Sequence, residues 1–404
     1  MRNYEYIRIG DLGRVVTGKT PSTEDESNFG IDFPFITPTD IPTFDEKYIE
    51  YTERGISKKA ATKLKNNCLP KDSICFVCIG STIGKMCLSK RESFTNQQIN
   101  SLIVNKNYDA HYIFYLLRHI RGYFQQLGAG TGSGKGIVNK TTFEKSKIQV
   151  IKEKHIQKRI ADVLAAYDDL IENNNKRIAL LEKAAQELYK EWFVRFRFPG
   201  HENTKFINGL PEGWEVKRIF DYGTVETGKT PSTEIAENYG EDIMFVKTPD
   251  MHGNMFVIQT SEYLSERGHK TQPKKLLPAD SIMVSCIGTG GVVSINAEPA
   301  HTNQQINSII LNDTTYLEWL YFTCKSLKIT IELFGATGAT MTNLSKGKFE
   351  KLKVIDPGSE LIIKYHNKTE NIFKKIKFLL NANKNLIKQR DLLLPRLMSG
   401  KLEV

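Results

Sequence analysis

Between Lys154 and Phe198, apolar residues recur at every third or fourth position: Ile160, Leu164, Tyr167, Ile171, Ile178, Leu181, Ala185, Leu188 and Trp192. That spacing predicts a helix with one narrow apolar stripe, the kind that packs against another helix. Neither glycine nor proline interrupts the run before Pro199–Gly200 end it. About 40 helical residues make a rod of ~60 Å, several times the ~11 residues of an ordinary globular helix. The pattern returns near the C-terminus through Ile372, Ile376, Leu379, Leu386, Leu393 and Leu397, where Asn381, Asn383 and Asn385 interrupt the apolar face. Outside these rods, short β-rich runs (Asp72–Ile79, Ser101–Val104, Ile148–Ile151) alternate with glycine and proline turns and predict strands. Ala110–Leu127 and Thr315–Leu333 predict amphipathic helices.

The first half of the chain is echoed by the second. TGKTPSTE at Thr17–Glu24 returns at Thr227–Glu234, an offset of 210. FITPTD (Phe35–Asp40) returns as FVKTPD (Phe245–Asp250), DSICFVCIG (Asp72–Gly80) as DSIMVSCIG (Asp280–Gly288), and TNQQINSLIVN (Thr95–Asn105) as TNQQINSIILN (Thr302–Asn312). TERG (Thr52–Gly55) is matched to SERG (Ser265–Gly268), and FEKSKIQV (Phe143–Val150) to FEKLKVID (Phe349–Asp356). One unit, a head followed by a rod, has been duplicated. The fold class expected is α+β: two similar heads (1–152 and 201–357) separated by two long helices (153–200 and 358–404). Those helices are expected to pack as an antiparallel coiled coil with pseudo-two-fold symmetry, through Leu164, Ile171, Ile178 and Leu181 against Ile372, Leu379, Leu386 and Leu393.

Composition changes this picture only modestly. With 25% charged and 40% apolar residues over 404 positions, the chain reads as a folded protein with room for two or three domains. The lack of a long apolar run or a signal peptide gives a cytoplasmic expectation. Six cysteines in strand-like surroundings include one CxxC spacing, Cys75–Cys78, without a second pair, so buried thiols are expected rather than a metal site. A net charge of +10 favours an anionic partner such as nucleic acid.

Catalytic chemistry is harder to find. Gly13–Thr20 and Gly223–Thr230 fit the phosphate-loop pattern GxxxxGK[ST], but Pro21 and Pro231 follow at once, where that loop needs a helix. A lysine-bearing surface loop is the better reading, and a nucleotide hydrolase with a coiled-coil arm the alternative, together with a scaffold lacking DNA affinity. Histidines show no metal-binding spacing, no nucleophile–base arrangement is evident, and the chain itself is expected to need no cofactor. Stretches identical in both heads suit framework or sequence-blind phosphate contact, so the amides of Asn96-Gln97-Gln98 and Asn303-Gln304-Gln305 are assigned to loop architecture. Divergent loops suit base reading. In the first head the candidate DNA contacts are Lys19, Thr20, Ser22, Thr37, Thr39, Ser81, Thr82, Lys85, Ser133, Lys135 and Lys140. In the second they are Lys229, Thr230, Ser232, Lys247, Thr248, Thr289, Thr337, Thr340, Asn343 and Lys346.

Taken together, the GKTPS-like loops, QKRIADVLAAYDDLIENN (Gln157–Asn174), LYKEWFVRFRFP (Leu188–Pro199), GLPEGW (Gly209–Trp214) and LLPRLMSGKLEV (Leu393–Val404) resemble the specificity subunit of a type I restriction–modification enzyme. The resemblance covers essentially the whole chain. It implies two target-recognition domains reading a bipartite, asymmetric double-stranded DNA site, with the helices as a ruler. It also implies docking of two methyltransferase subunits, which carry S-adenosylmethionine for adenine methylation, and of motor–nuclease subunits that use ATP and Mg. The chain itself is then non-catalytic.

Overall fold

A computed structural model describes residues 4–44, 46–49, 51–129, 136–336 and 342–404. The chain forms two compact units, Met1–Glu172 with Asn385–Val404, and Asn173–Lys384. The two long helices, Lys154–Tyr189 and Ser359–Met398, each contribute to both units rather than standing as separate bodies.

In the first unit the head is opened and closed by one ribbon, Tyr4–Arg8 paired antiparallel with Lys147–Ile151. A four-stranded sheet runs in the order Gly13–Thr17, Ile99–Val104, Ile74–Val77, Met86–Leu88. A second, three-stranded sheet places Phe29–Ile36 between Arg54–Ile56 and Phe94–Thr95. The Ile74–Val77 strand is buried on both faces, which explains why its sequence is a continuous apolar run rather than an alternation. The second unit repeats the plan. Glu215–Arg218 pairs with Lys353–Asp356, one sheet centres on Ile306–Leu311 and Ile282–Ser285, and the other on Ile243–Val246 and Glu262–Leu264. Even the backbone exceptions recur: Asp72 and Asp280 both take φ of 63°, a left-handed conformation that aspartate tolerates in turns.

The predicted helices are present with two revisions. Ala110–Leu127 divides into Ala110–His119 and Arg121–Ala129 at Ile120, and the second-head counterpart divides into Leu317–Ser326 and Lys328–Gly335. The central α-helix ends at Tyr189, short of Phe198, in a wide π turn over Lys190–Val194, and Phe196 then takes a φ of 57°. Aromatic packing drives this ending. The Phe193 ring lies 5.2 Å from Tyr365 and Phe198 lies 5.4 Å from Trp214, so the chain turns to bury Trp192, Phe193 and Phe198, rings that a straight helix would splay around its circumference.

The long helices pack together within each unit. In the second, Asn174 meets Asn383 while the carbonyl of Ala185 accepts a hydrogen bond from the Tyr365 hydroxyl at 2.9 Å. Numbers rise along one helix as they fall along the other, so the pairing is antiparallel. Ile178, Ala185 and Tyr189 share a core with Tyr365, Phe373, Ile376 and Leu379, flanked by Leu181 and Ile372. In the first unit Ile160, Ala161 and Leu164 pack with Leu394, Leu397 and Met398, joined by Leu393. Ile171 and Leu386 are half-buried.

The asparagines of the terminal helix differ from the expected interruption. Asn383 is buried: its carbonyl oxygen accepts from Asn174 at 2.8 Å and its amide donates to Asn175 at 2.7 Å. Asn381 is half-buried and turns onto the Lys377 carbonyl, and Asn385 is exposed. A buried amide pair of this kind fixes helix register by making every shifted alignment leave polar atoms unpaired. Asn383→Ala is therefore expected to destabilise the unit by about 1–3 kcal/mol, the cost of a buried amide stripped of its partner. Urea denaturation checks this, and a midpoint unchanged from wild type would exclude the register role.

Candidate nucleic-acid interface

Gly18 places the first TGKT loop. Its amide donates to the Ile99 carbonyl at 3.1 Å, and that of Lys19 to the Thr95 carbonyl at 2.9 Å. A Cβ at Gly18 would sit 2.2 Å from the Asn96 carbonyl oxygen, so no side chain fits. Gly228 is in the same position against the Asn303 carbonyl, again at 2.2 Å, and Lys229 donates to Thr302 at 2.9 Å. Lys19 and Lys229 are exposed, and among the described residues no carboxylate pairs with either.

This geometry removes the phosphate-loop reading. The first five residues of GRVVTGKT lie in a β-strand, Gly13–Thr17, hydrogen-bonded to Asn100–Val104, and the loop is followed by an extended segment and a short 3-10 turn at Glu26–Asn28. The helix whose amide groups would gather a nucleotide phosphate is missing at that point.

The shared amides hold loops together. Thr20 donates its hydroxyl to Gln97 at 2.7 Å and Thr230 donates to Gln304. Asn96 donates to Gln98 at 3.1 Å, and Asn303 to Gln305 at the same distance. A third segment anchors alongside. Asp40 accepts from the Thr37 amide at 2.8 Å and from the Glu53 amide at 2.7 Å; Asp250 accepts from Lys247 and Ser261, both at 2.9 Å. In the first head these three segments surround a polar depression of 260 Å³ lined by Thr20, Thr37, Thr39, Arg54, Asn96 and Gln98.

The remaining candidates fall in different places. Ser22 and Ser232 are exposed next to the lysine loops. Ser81 is exposed, whereas Thr82 turns back to the Ile79 carbonyl at 3.1 Å. Lys85 does not project freely: its ammonium donates to the carbonyls of Ile41 and Pro42 at 3.0 and 2.9 Å and lies 5.9 Å from the Phe44 ring centre. It braces a loop instead of offering a charge. Lys140 is 3.6 Å from Glu144 on the same helical turn. Lys247 pairs with Glu262, and Thr248 is buried within 3.4 Å of Gln305. Thr289, Asn343 and Lys346 are exposed, with Asn343 in the ribbon that joins Ile287–Gly288 to Thr342–Asn343. Ser133, Lys135, Thr337 and Thr340 lie outside the described residues.

Comparing the heads also corrects the TERG–SERG match. Arg54 lies opposite Phe35, and its structural counterpart opposite Phe245 is Glu262. Ser57 and Ser265 are the true equivalents: each caps a short helix, and their amides donate to Asn28 and Asn238. The correct offset here is 208, so Arg54, which lines the depression, and Glu262 hold equivalent strand positions and were missed. A serine N-cap after an apolar residue, ISKK and LSER, was the signal available.

The electrostatics of the surroundings are quiet. Burial, helped by neighbouring His269, holds the His301 imidazole down to about 4, so it stays neutral behind the second lysine loop. Its Nε2 lies 3.0 Å from His269 Nδ1. Cys286 is pushed up to about 11 by burial, and all six cysteines are unbridged. Among the described residues there is no cluster able to hold a metal ion, and no helix long and apolar enough to cross a membrane.

The family model for the type I restriction modification DNA specificity domain matches residues 1–183 and 211–389. The specificity subunit of type I restriction enzyme MjaIX from Methanocaldococcus jannaschii is 30% identical over 428 aligned residues, covering 100% of this chain and 94% of that protein. The HindI specificity subunit from Haemophilus influenzae is 35% identical over 313 residues, covering 62% of this chain and 68% of its own length. The crystal structure of a type I restriction–modification S subunit from M. genitalium shares the fold, with a TM-score of 0.62 at 15% identity, covering 98% of this chain and 96% of that one.

Proposed function

The chain belongs to the type I restriction–modification DNA specificity family, as a non-catalytic specificity subunit that recognises the DNA target within a larger enzyme, and from that premise we propose that each head reads one half of a bipartite, asymmetric site. The long helices set the spacing between the halves and, with flanking surfaces, dock two methyltransferase subunits, to which motor–nuclease subunits add for cleavage. S-adenosylmethionine, ATP and Mg serve those partners. The observation that carries the reading is the pair of superimposable loop frames with divergent side chains: Gly18 and Gly228, Asp40 and Asp250, Gln97 and Gln304 hold the same positions, while Thr37 and Arg54 in one head become Lys247 and Glu262 in the other. Two copies kept for the same half-site would have no need to differ there.

The lysines at the loop tips supply phosphate contact and orientation, and the loop side chains supply sequence. Lys19→Ala or Lys229→Ala is expected to weaken binding to every DNA sequence and to lower the slope of log affinity against log salt by about one unit. An unchanged slope would exclude phosphate contact at that position. The reading as a whole is tested by mapping DNA methylation in cells that express the chain with its cognate methyltransferase subunit, before and after exchange of residues 201–357 for another second head. A bipartite motif altered in one half alone is the expected result. Loss of sequence preference with partner binding intact would favour a scaffold.

A further inference from the structure

In both heads the lysine loop, the Thr/Lys-Pro turn and the NQQ turn are held by one frame, which in the first head surrounds a depression. An aspartate (Asp40 or Asp250) ties the turn to the chain segment opposite, and an amide pair (Asn96–Gln98 or Asn303–Gln305) closes the other side. Upon this frame, two structurally matched positions carry different charges. In the first head they are Thr37, whose hydroxyl is turned onto Asp40 at 2.6 Å, and Arg54. Arg54 is exposed, and among the described residues no carboxylate pairs with it. In the second head the same positions hold Lys247 and Glu262, joined as an ion pair, with the Lys247 ammonium 5.7 Å from the Phe245 ring centre. A positive fork in one head thus stands where the other presents a carboxylate held in place by a lysine.

Resting on the two-reader function, we propose that this position is a specificity switch: Arg54 reads a guanine in one half-site, and Glu262, oriented by Lys247, reads a cytosine at the corresponding place in the other. The guanidinium offers two parallel donors, which match the O6 and N7 acceptors on the major-groove edge of guanine. A carboxylate has only acceptors and matches the cytosine N4 amino group, so each side chain rejects the other's base. Of the other groups that line the first head's depression, Thr20, Thr37, Asp40 and Asn96 have side-chain polar atoms bound within the frame, while Glu53 is an acceptor-only carboxylate beside Arg54. Sequence-blind contact at this position would not require opposite charges in two copies of one fold, because the phosphate backbone is negative in both half-sites.

The full chain, expressed with its methyltransferase subunit, tests the proposal by genome-wide methylation mapping and competition binding. Arg54→Ala is expected to make one guanine position of one half-site degenerate, with roughly tenfold or greater loss of discrimination there, and to leave the other half unchanged. Arg54→Lys retains the charge without the fork, so it is expected to keep the wild-type salt slope and still lose discrimination. Glu262→Gln is expected to relax one position in the opposite half alone. The decisive variant transplants the second head's groups, Thr37→Lys with Arg54→Glu, and is expected to turn that guanine preference into cytosine. Arg54 and Glu262 are exposed, so thermal melting of their single variants should match wild type, and for the double variant, which also removes the half-buried Thr37 hydroxyl from Asp40, a melting measurement separates altered reading from misfolding. A motif unchanged in all variants, or uniform weakening with a lower salt slope for Arg54→Ala, would overturn the proposal and make Arg54 a phosphate contact. A wild-type complex that methylates without a fixed motif would sink the two-reader function itself and the proposal with it.

Discussion

Arg390→Ala is expected to destabilise the first unit by about 3–5 kcal/mol, a large part of the roughly 5–15 kcal/mol that keeps a domain folded. Arg390 is 1% exposed, and its guanidinium donates to Asp168 at 2.6 Å. Asp168, itself buried, also accepts from the Tyr115 hydroxyl at 2.6 Å and lies 3.7 Å from Arg118. One carboxylate, carried by the central helix, is thereby held by the terminal helix and by the head's own helix Ala110–His119. Removing Arg390 leaves a carboxylate dehydrated with one of its chief partners gone, which costs far more than the pair contributes when intact. Asp391→Ala provides the control: Asp391 is 49% exposed, so the loss there is expected to be within about 1 kcal/mol. Hydrogen exchange of peptides from 110–119 and 154–170 is the measurement. Wild-type protection in Arg390→Ala would show that the cluster is dispensable.

Gly18→Ala is the second large effect expected, and it acts upon recognition. The new methyl would meet the carbonyl oxygens of Asn96 and Thr95 at 2.2 and 2.3 Å, and both are backbone atoms with little freedom to retreat. Overpacking of this kind typically costs about 1–3 kcal/mol, and here the displaced element carries Lys19 and Thr20. Affinity for the target DNA should fall by roughly tenfold or more, the equivalent of 1.4 kcal/mol or above. Gly228→Ala is expected to reproduce the effect through the second head, where the methyl would meet the Asn303 carbonyl at 2.2 Å. Gly122→Ala, where a methyl meets nothing within 4 Å, should leave binding intact and add up to ~1 kcal/mol of helix stability. Equal binding by all three variants, measured by titration of labelled duplex, would show that loop position is irrelevant to recognition.

Much of the architecture was legible because duplication turns one sequence into two readings of the same fold. The helical stripe, the recurring loops and the buried strand Ile74–Val77 all follow from periodicity, and the heads follow from their repetition. Three things were not legible, each for a physical reason. Asn383 read as a fault in an apolar stripe because its partners, Asn174 and Asn175, lie more than 200 positions away, and no local pattern announces a cross-helix amide pair. The helix end at Tyr189 was overrun because Trp192, Phe193, Phe196 and Phe198 continue an apolar rhythm that tertiary packing bends into a turn. Arg54 was overlooked because TERG resembles SERG in letters while the backbone register pairs Arg54 with Phe35 and Glu262 with Phe245. At the candidate interface, sequence alone separated shared from divergent loops but not exposed charges from bracing ones, which is why Lys19 and Lys85 stood together.

The first unit is completed by Asn385–Val404, so during synthesis its last structural element leaves the ribosome only after the whole of the second unit. Until then Asp168 lacks Arg390, and the apolar surface that receives Leu394, Leu397 and Met398 stays open to water. For a nascent chain this is a long exposure of a half-built core, at ~5–20 residues per second. A message cut short before Arg390 would therefore yield a first unit without its closing helix and without the guanidinium that pairs with Asp168, together with a second unit, Asn173–Lys384, whose own elements are all present.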